Sequence, residues 1–387
     1  MRVCVVYDCL FPYTVGGAER WYRNLSERLA SEGHEVTYLT LRQWELDEAR
    51  PSLPGVRLVA AGPRMRLYTD SGRRRILPPL AFGVRVLAHL LRRGRRYDAV
   101  HTASFPYFSL LAAAAARPLH RFRLVVDWHE AWTREYWREY LGRAGGYIGW
   151  LVQRACVRVP QRAFCFSRLH AQRLREEGLR GEATVLEGEY AGSLERPAVR
   201  EAQDLVVFAG RHIPEKRVPA LVPAIARARE SVPGLRCLIL GDGPDRERVL
   251  QAIADLALED AISAPGFVPG EDVERALAGA LCLVLPSRRE GYGLVVVEAS
   301  ARAVPSVVVR GPDNAATELV ADGENGVLAD SADPEALAAA VVRVRDGGHR
   351  LRESTAAWYE RNARRLSIDG SLATVTQVYA ESSRARR

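Results

Sequence analysis

The sequence predicts an α/β protein of two Rossmann-like domains facing a central cleft. Three observations carry that expectation. The chain has 387 residues, and domains run about 100–200 residues each. Short β-rich runs alternate with helical patterns throughout, the signature of parallel sheets built from βαβ units. The alternation is interrupted over 187–204, a polar stretch holding Gly188, Gly192 and Pro197 with neither helical nor strand period.

In chain order, the first half offers strands at Arg2–Tyr7, Glu35–Thr40, Val56–Ala60, Asp98–Thr102, Arg123–Asp127 and Ala163–Ser167. Helical patterns between them include Ala18–Ser31, Leu80–Arg93 and Gly146–Val159. The second half repeats the theme with strands at Leu205–Ala209, Leu235–Leu240, Leu281–Leu285 and Ser306–Val309. Residues Leu351–Arg387 return to a helical pattern with a break near Ser367–Gly370. The expected division is 1–190 for the first domain, with a C-terminal helix over 368–387 returning to it, and 200–367 for the second. In such sheets ligands bind outside the carboxyl ends of the strands.

Composition excludes several classes. With 48% hydrophobic and 26% charged residues, the chain is neither disordered nor a coiled coil. The opening apolar run is too short for a signal peptide, and Phe105–Ala116 is about half a membrane span. Six cysteines without a CxxC pair argue against a disulfide scaffold or zinc ribbon. Cys4, Cys237 and Cys282 read as small buried thiols, and a cytoplasmic setting is expected.

Net charge is +8, unevenly spread: residues 1–195 hold 30 Arg against 20 Asp/Glu, and the remainder 25 basic against 27 acidic. Among 55 basic residues the only lysine is Lys216. A position that keeps lysine where arginine serves everywhere else invites a chemical explanation.

Four stretches following predicted strands hold the chemistry-capable residues. The first is Val15-Gly16-Gly17-Ala18-Glu19-Arg20, where glycines admit a close ligand and a helix N-terminus favours an anion. The second, Gly210-Arg211-His212-Ile213-Pro214-Glu215-Lys216, sets two cations around one anionic group. Guanidinium grips phosphate as a planar fork and ammonium acts as a compact point charge. The third runs from Arg289 to Glu298 across Gly291-Tyr292-Gly293-Leu294. Its turn offers backbone N–H groups to an anion, and Glu290 and Glu298 offer carboxylates to sugar hydroxyls. The fourth is Asp127-Trp128-His129-Glu130, whose His129 reads equally as a substrate contact or as a satisfied structural histidine.

Together these pieces resemble the retaining GT-B glycosyltransferases of family GT4, the glycosyltransferase group 1 family. Leu240-Gly241-Asp242-Gly243-Pro244, Gly311 to Val320 and Asp322-Gly323-Glu324-Asn325-Gly326 extend the likeness, in order, over residues 1 to about 380. The resemblance implies a UDP- or GDP-linked sugar as co-substrate, with no cofactor and no metal. It implies that Arg211 and Lys216 hold the diphosphate, Glu298 the ribose hydroxyls and Glu290 those of the transferred sugar. It further implies that Gly291, Tyr292, Gly293 and Leu294 line the sugar-diphosphate. His129 would contact the donor sugar near its reacting carbon, and Gly16 and Gly17 would abut the phosphate. Lys216, Arg211, Glu290 and His129 form the expected catalytic set.

Rival readings are a nucleotide-sugar epimerase, a pyridoxal-phosphate phosphorylase using Lys216, and an Arg-rich nucleic-acid-binding protein. Scattered arginines without interleaved aromatics speak against a nucleic-acid partner. The expected acceptor is a glycan, lipid-linked or small-molecule hydroxyl compound, with a lipid-linked or cell-envelope glycan preferred, as in polysaccharide biosynthesis. Arg73, Arg74, Arg75, Arg85, Arg92, Arg93, Arg95 and Arg96 surround Leu80, Val84, Leu87 and Leu91. That apolar face either packs on its own sheet or docks on anionic lipid at the inner face of the membrane.

Overall fold

The computed structural model describes residues 1–387 apart from 15, 46, 50, 68, 70–73 and 385–387, and apart from the side chains of 382–384. Val15 of the glycine turn and Arg73 of the basic cluster lie outside the described residues. The chain divides into two compact units, Met1–Glu187 with Gly370–Arg387, and Gly188–Asp369.

The first unit is built on seven strands: β1 (Arg2–Val6), β2 (Glu35–Thr40), β3 (Val56–Ala60), β4 (Ala99–Ala103), β5 (Arg123–Trp128), β6 (Arg162–Cys165) and β7 (Ala183–Val185). Their order is β3-β2-β1-β4-β5-β6-β7, and the pairings are parallel throughout. The connecting helices are α1 (Gly17–Ser31), α2 (Leu77–Arg93), α3 (Phe108–His120), α4 (Arg134–Val157) and α5 (Arg168–Glu176). Strands β1, β4 and β5 are almost wholly buried because helices cover both faces of a parallel sheet.

The second unit repeats the plan with β8 (Leu205–Ala209), β9 (Arg236–Leu240), β10 (Ile262–Gly266), β11 (Cys282–Leu285), β12 (Arg289–Glu290), β13 (Ser306–Val309), β14 (Asp313–Asn314) and β15 (Gly326–Ala329). Six of them form a parallel sheet in the order β10-β9-β8-β11-β13-β15, while β12 and β14 pair separately. Its helices are α6 (Leu221–Arg229), α7 (Arg246–Asp255), α8 (Gly270–Gly279), α9 (Leu294–Ser300) and α10 (Pro334–Leu366); the chain then closes with α11 (Ile368–Arg384). Both sheets reverse direction of strand addition, at β1/β4 and at β8/β11. Such a switch point opens a crevice at the carboxyl ends of the two strands.

Tyr190 and Ser367 bridge where the chain enters and leaves the second unit, with Tyr190 N–H donating to Leu366 O at 3.1 Å and Ile368 N–H to Tyr190 O at 2.8 Å. Helix α11 then belongs largely to the first unit: Tyr379 is buried there, its hydroxyl 3.1 Å from His101 Nδ1. All six cysteines are buried and unbridged. Burial pushes the Cys4 and Cys282 thiols up to about 12, so they are inert at neutral pH. No helix among the described residues is long and apolar enough to cross a membrane.

Two expectations change. The helix expected over Gly146–Val159 is α4 and begins at Arg134, because the chain turns through a kink at Gly142 (φ 75°) and continues. Of the α2 face named by Leu80, Val84, Leu87 and Leu91, Leu87 is half-buried, whereas Leu80, Val84 and Leu91 do not pack on the sheet. The latter three are exposed, and Phe82, Val86 and Leu90 make the buried side.

Candidate active site

In the second unit the functional side chains come from the loops after β8 and β11, the two strands that flank its switch point. The loop after β8 tightens into a single 3-10 turn, Pro214–Lys216, with Lys216 N–H donating to Ile213 O at 2.9 Å. Arg217 follows in the left-handed region (φ 50°) and ends the turn. The loop after β11 is tied to it by Arg288 N–H donating to Glu215 O at 2.8 Å. Beside that backbone bond, Lys216 Nζ meets Glu290 Oε1 at 2.5 Å. The Glu290 side chain is 8% exposed and that of Lys216 20%. A carboxylate so covered is costly to leave without a partner.

Glu290 owes its place to the small β12–β14 pairing, in which it stands opposite Asn314. Asn314 is buried and uses its amide fully. Nδ2 donates to Ser287 O at 3.0 Å and Val309 O at 2.8 Å, and Oδ1 accepts from Ala316 N–H at 3.1 Å. One side chain therefore staples the ends of two loops and starts the next turn. Gly293 precedes α9 with φ 103°, and a Cβ there would lie 2.6 Å from that of Ala316. No other residue type makes that turn without strain. The helix it opens spans seven residues, and Glu298 lies on it, partly exposed, with Arg302 donating to its carbonyl at 2.9 Å. Tyr292 is buried; Gly291 and Leu294 are partly exposed.

Arg211 is exposed, and no hydrogen bond or ion pair engages its guanidinium among the described residues. The expectation of two cations around one anion therefore meets a different resting arrangement: Lys216 is held by Glu290 and Arg211 is open. Between them in sequence, His212 is fully buried. Its N–H donates to Asp242 O and its carbonyl accepts from Asp245 N–H, both at 2.9 Å. Neither ring nitrogen has a hydrogen-bond partner among the described residues, and burial holds its pKa below the usual histidine value.

In the first unit, Gly16 caps α1 in extended conformation and Gly17 is its first residue. His129 directly follows β5. Its ring stacks flat on Phe166, with centroids 4.3 Å apart at 8°, and meets Tyr22 edge-on at 6.1 Å. Burial drives its pKa down to about 4, against the pull of Asp127. At neutral pH it is thus an uncharged imidazole, able to hydrogen-bond a hydroxyl but not to act as a cation.

Sequence reasoning missed the network beneath it. Asp127, wholly buried, accepts from His101 Nε2 at 2.8 Å and from Trp21 Nε1 at 2.7 Å. Burial pushes the Asp127 carboxyl up, but His101 in contact with it holds it below the usual range. Asp8, at the end of β1, was also missed; it is buried and ion-paired with Arg74. Its position just past a strand at the switch point was the available signal.

Solved structures share this architecture over nearly the whole chain. Sucrose-phosphate synthase from Thermosynechococcus elongatus superposes with a TM-score of 0.79 at 19% identity, covering 99% of both chains. Anabaena HepE in complex with UDP gives 0.74 at 18%, covering 98% of this chain and 100% of that one. Two parallel sheets in tandem with a returning C-terminal helix define the GT-B glycosyltransferase class. Family models agree, with Glycosyltransferase Family 4 matching residues 15–187 and Glycosyl transferases group 1 matching 193–365. The chain belongs to the glycosyltransferase group 1 family. Among curated relatives, the D-inositol 3-phosphate glycosyltransferase of Acidothermus cellulolyticus is 28% identical over 96% of this chain and 87% of that protein. An exopolysaccharide phosphotransferase of Streptomyces coelicolor is 35% identical, over 38% of this chain and only 16% of that protein.

Proposed function

We propose that this glycosyltransferase moves a hexosyl unit from a UDP- or GDP-linked sugar to a hydroxyl acceptor, with retention at the anomeric carbon and without a metal or other cofactor. The observation that carries the reading is the Lys216–Glu290 pair, with the unengaged Arg211 five residues away in the same loop. A donor diphosphate replaces Glu290 as the partner of Lys216 and recruits Arg211. Glu290, released, accepts hydrogen bonds from the sugar hydroxyls. Departure of the nucleoside diphosphate builds negative charge on the β-phosphate, and two fixed cations stabilise it in the transition state.

Glu298 takes the ribose hydroxyls, and backbone groups of Gly291, Tyr292, Gly293 and Leu294 line the diphosphate. Within the first unit, the neutral His129 is suited to a sugar hydroxyl, and Gly16 and Gly17 leave room for a phosphate. Phosphate charge is assigned to Arg211 and Lys216. The acceptor is a lipid-linked or cell-envelope glycan, a class compatible with the Arg-rich first unit. A thermal-shift panel of UDP, GDP, ADP and their sugars tests the reading. One nucleotide family stabilises the protein and Lys216→Ala abolishes the shift. Stabilisation by none of them, or an equal shift in the variant, defeats it.

A further inference from the structure

Helix α2 is apolar on both sides. Its inner side, Phe82, Val86 and Leu90, is buried in the first unit. At 3.6 residues per turn, Leu77, Leu80, Val84 and Leu91 fall within an arc of roughly 60° on the other side. All four are exposed, Leu77 by 66% and Val84 by 62%, and Ile76 continues the stripe before the helix. A surface helix ordinarily turns polar residues to water, so a continuous outward apolar stripe marks a contact surface.

The charge around the stripe has one sign. No acidic residue occurs between Arg74 and Tyr97. Arg75, Arg85, Arg92, Arg93, Arg95 and Arg96 are all exposed, and none pairs with a carboxylate among the described residues. Arg74, by contrast, is taken up by Asp8. Six uncompensated guanidinium groups repel a second copy of the same surface. A nucleic acid satisfies the arginines and leaves the apolar stripe in water. A bilayer carrying anionic headgroups satisfies both, with the leucines and valine entering the headgroup–acyl boundary and the arginines pairing with phosphates.

We propose that α2 and its flanking arginines dock this enzyme on an anionic phospholipid surface, the helix lying in the interface. This surface is independent of the donor loops of the second unit. Flotation of the full chain with phosphatidylcholine vesicles, with and without phosphatidylglycerol, tests it. Binding requires the anionic lipid, weakens with added salt, and falls about tenfold or more in the double variant Leu80→Ser/Val84→Ser and again in Arg92→Ser/Arg93→Ser. All four positions are solvent-facing, and an unchanged thermal shift with nucleotide verifies that the variants fold and keep donor binding. Failure to float with anionic vesicles at low salt overturns the proposal. So does binding undiminished by the Leu80/Val84 change, or a wild-type dimer that this change dissociates. None of these outcomes touches nucleotide binding, so the donor reading stands or falls separately.

Discussion

Replacing Lys216 by alanine separates structure from chemistry at this site. The Nζ–Oε1 distance of 2.5 Å and the 8% exposure of Glu290 mean that Lys216→Ala strands a covered carboxylate. Breaking one side of a fully buried pair costs about 3–5 kcal/mol, whereas exposed pairs contribute about 0–1 kcal/mol. With Lys216 still one-fifth exposed, water screens part of the loss, and about 2 kcal/mol is expected. For a unit of this size that lowers Tm by roughly 4–8 °C. Adding Glu290→Gln removes the stranded charge, so the double variant recovers most of that stability. Activity behaves oppositely. Loss of a charge that stabilises the leaving group costs about 10²–10³ in kcat, and Glu290→Gln restores none of it. Lys216→Arg rescues poorly because a planar fork does not fit a site shaped for a point charge. Thermal unfolding of the single and double variants, run beside turnover with the donor that the panel identifies, reads both quantities. Near-normal turnover in Lys216→Ala refutes the catalytic role, and additive stability losses refute the coupling.

Three further outcomes are expected. His129 is neutral in the fold down to about pH 4, whereas an unfolded histidine protonates near 6.5. Its contribution to stability is therefore complete above about 6.5 and is lost as pH falls toward 4. Tm measured against pH in His129→Phe should show a shallower acid limb, and an unchanged limb counts against the assignment. Asn314→Ala leaves Ser287 O, Val309 O and Ala316 N–H without their partner and should destabilise the second unit by about 3 kcal/mol in denaturant unfolding. Gly293→Ala combines a left-handed backbone with the clash against Ala316; a loss of about 1–3 kcal/mol and weakened nucleotide binding by calorimetry are expected.

Much of the sheet framework was legible from local pattern. The bounds of β8 and β13 coincide with apolar, β-branched runs, because a strand buried on both faces must be apolar along its length; those of β2 and the edge strand β3, where only Leu58 is buried, are marked by β-branched residues alone. The short strands were not legible. β12 and β14 have two residues each and exist only because they pair with one another. β7, with no residue fully buried, has no hydrophobic run to announce it. Helix α4 was read short because Gly142 interrupts the helical period although the chain resumes it. The stretch Asp127 to Glu130 drew attention to His129 rather than to Asp127, whose partners Trp21 and His101 lie far away in the chain.

The order of the α/β units, the glycine-rich turn before α9 and the single lysine follow from the sequence alone. Periodicity, backbone freedom and composition are properties of neighbouring residues. Tertiary structure decided what each of these groups touches. It joined Lys216 to a carboxylate 74 residues on, and it gave Asn314 the loops it staples. It also turned one of two apolar faces of α2 outward, a choice no helical period can make when both faces are apolar. Such pairings depend on which strands become neighbours, and strand order is settled by packing across the whole sheet.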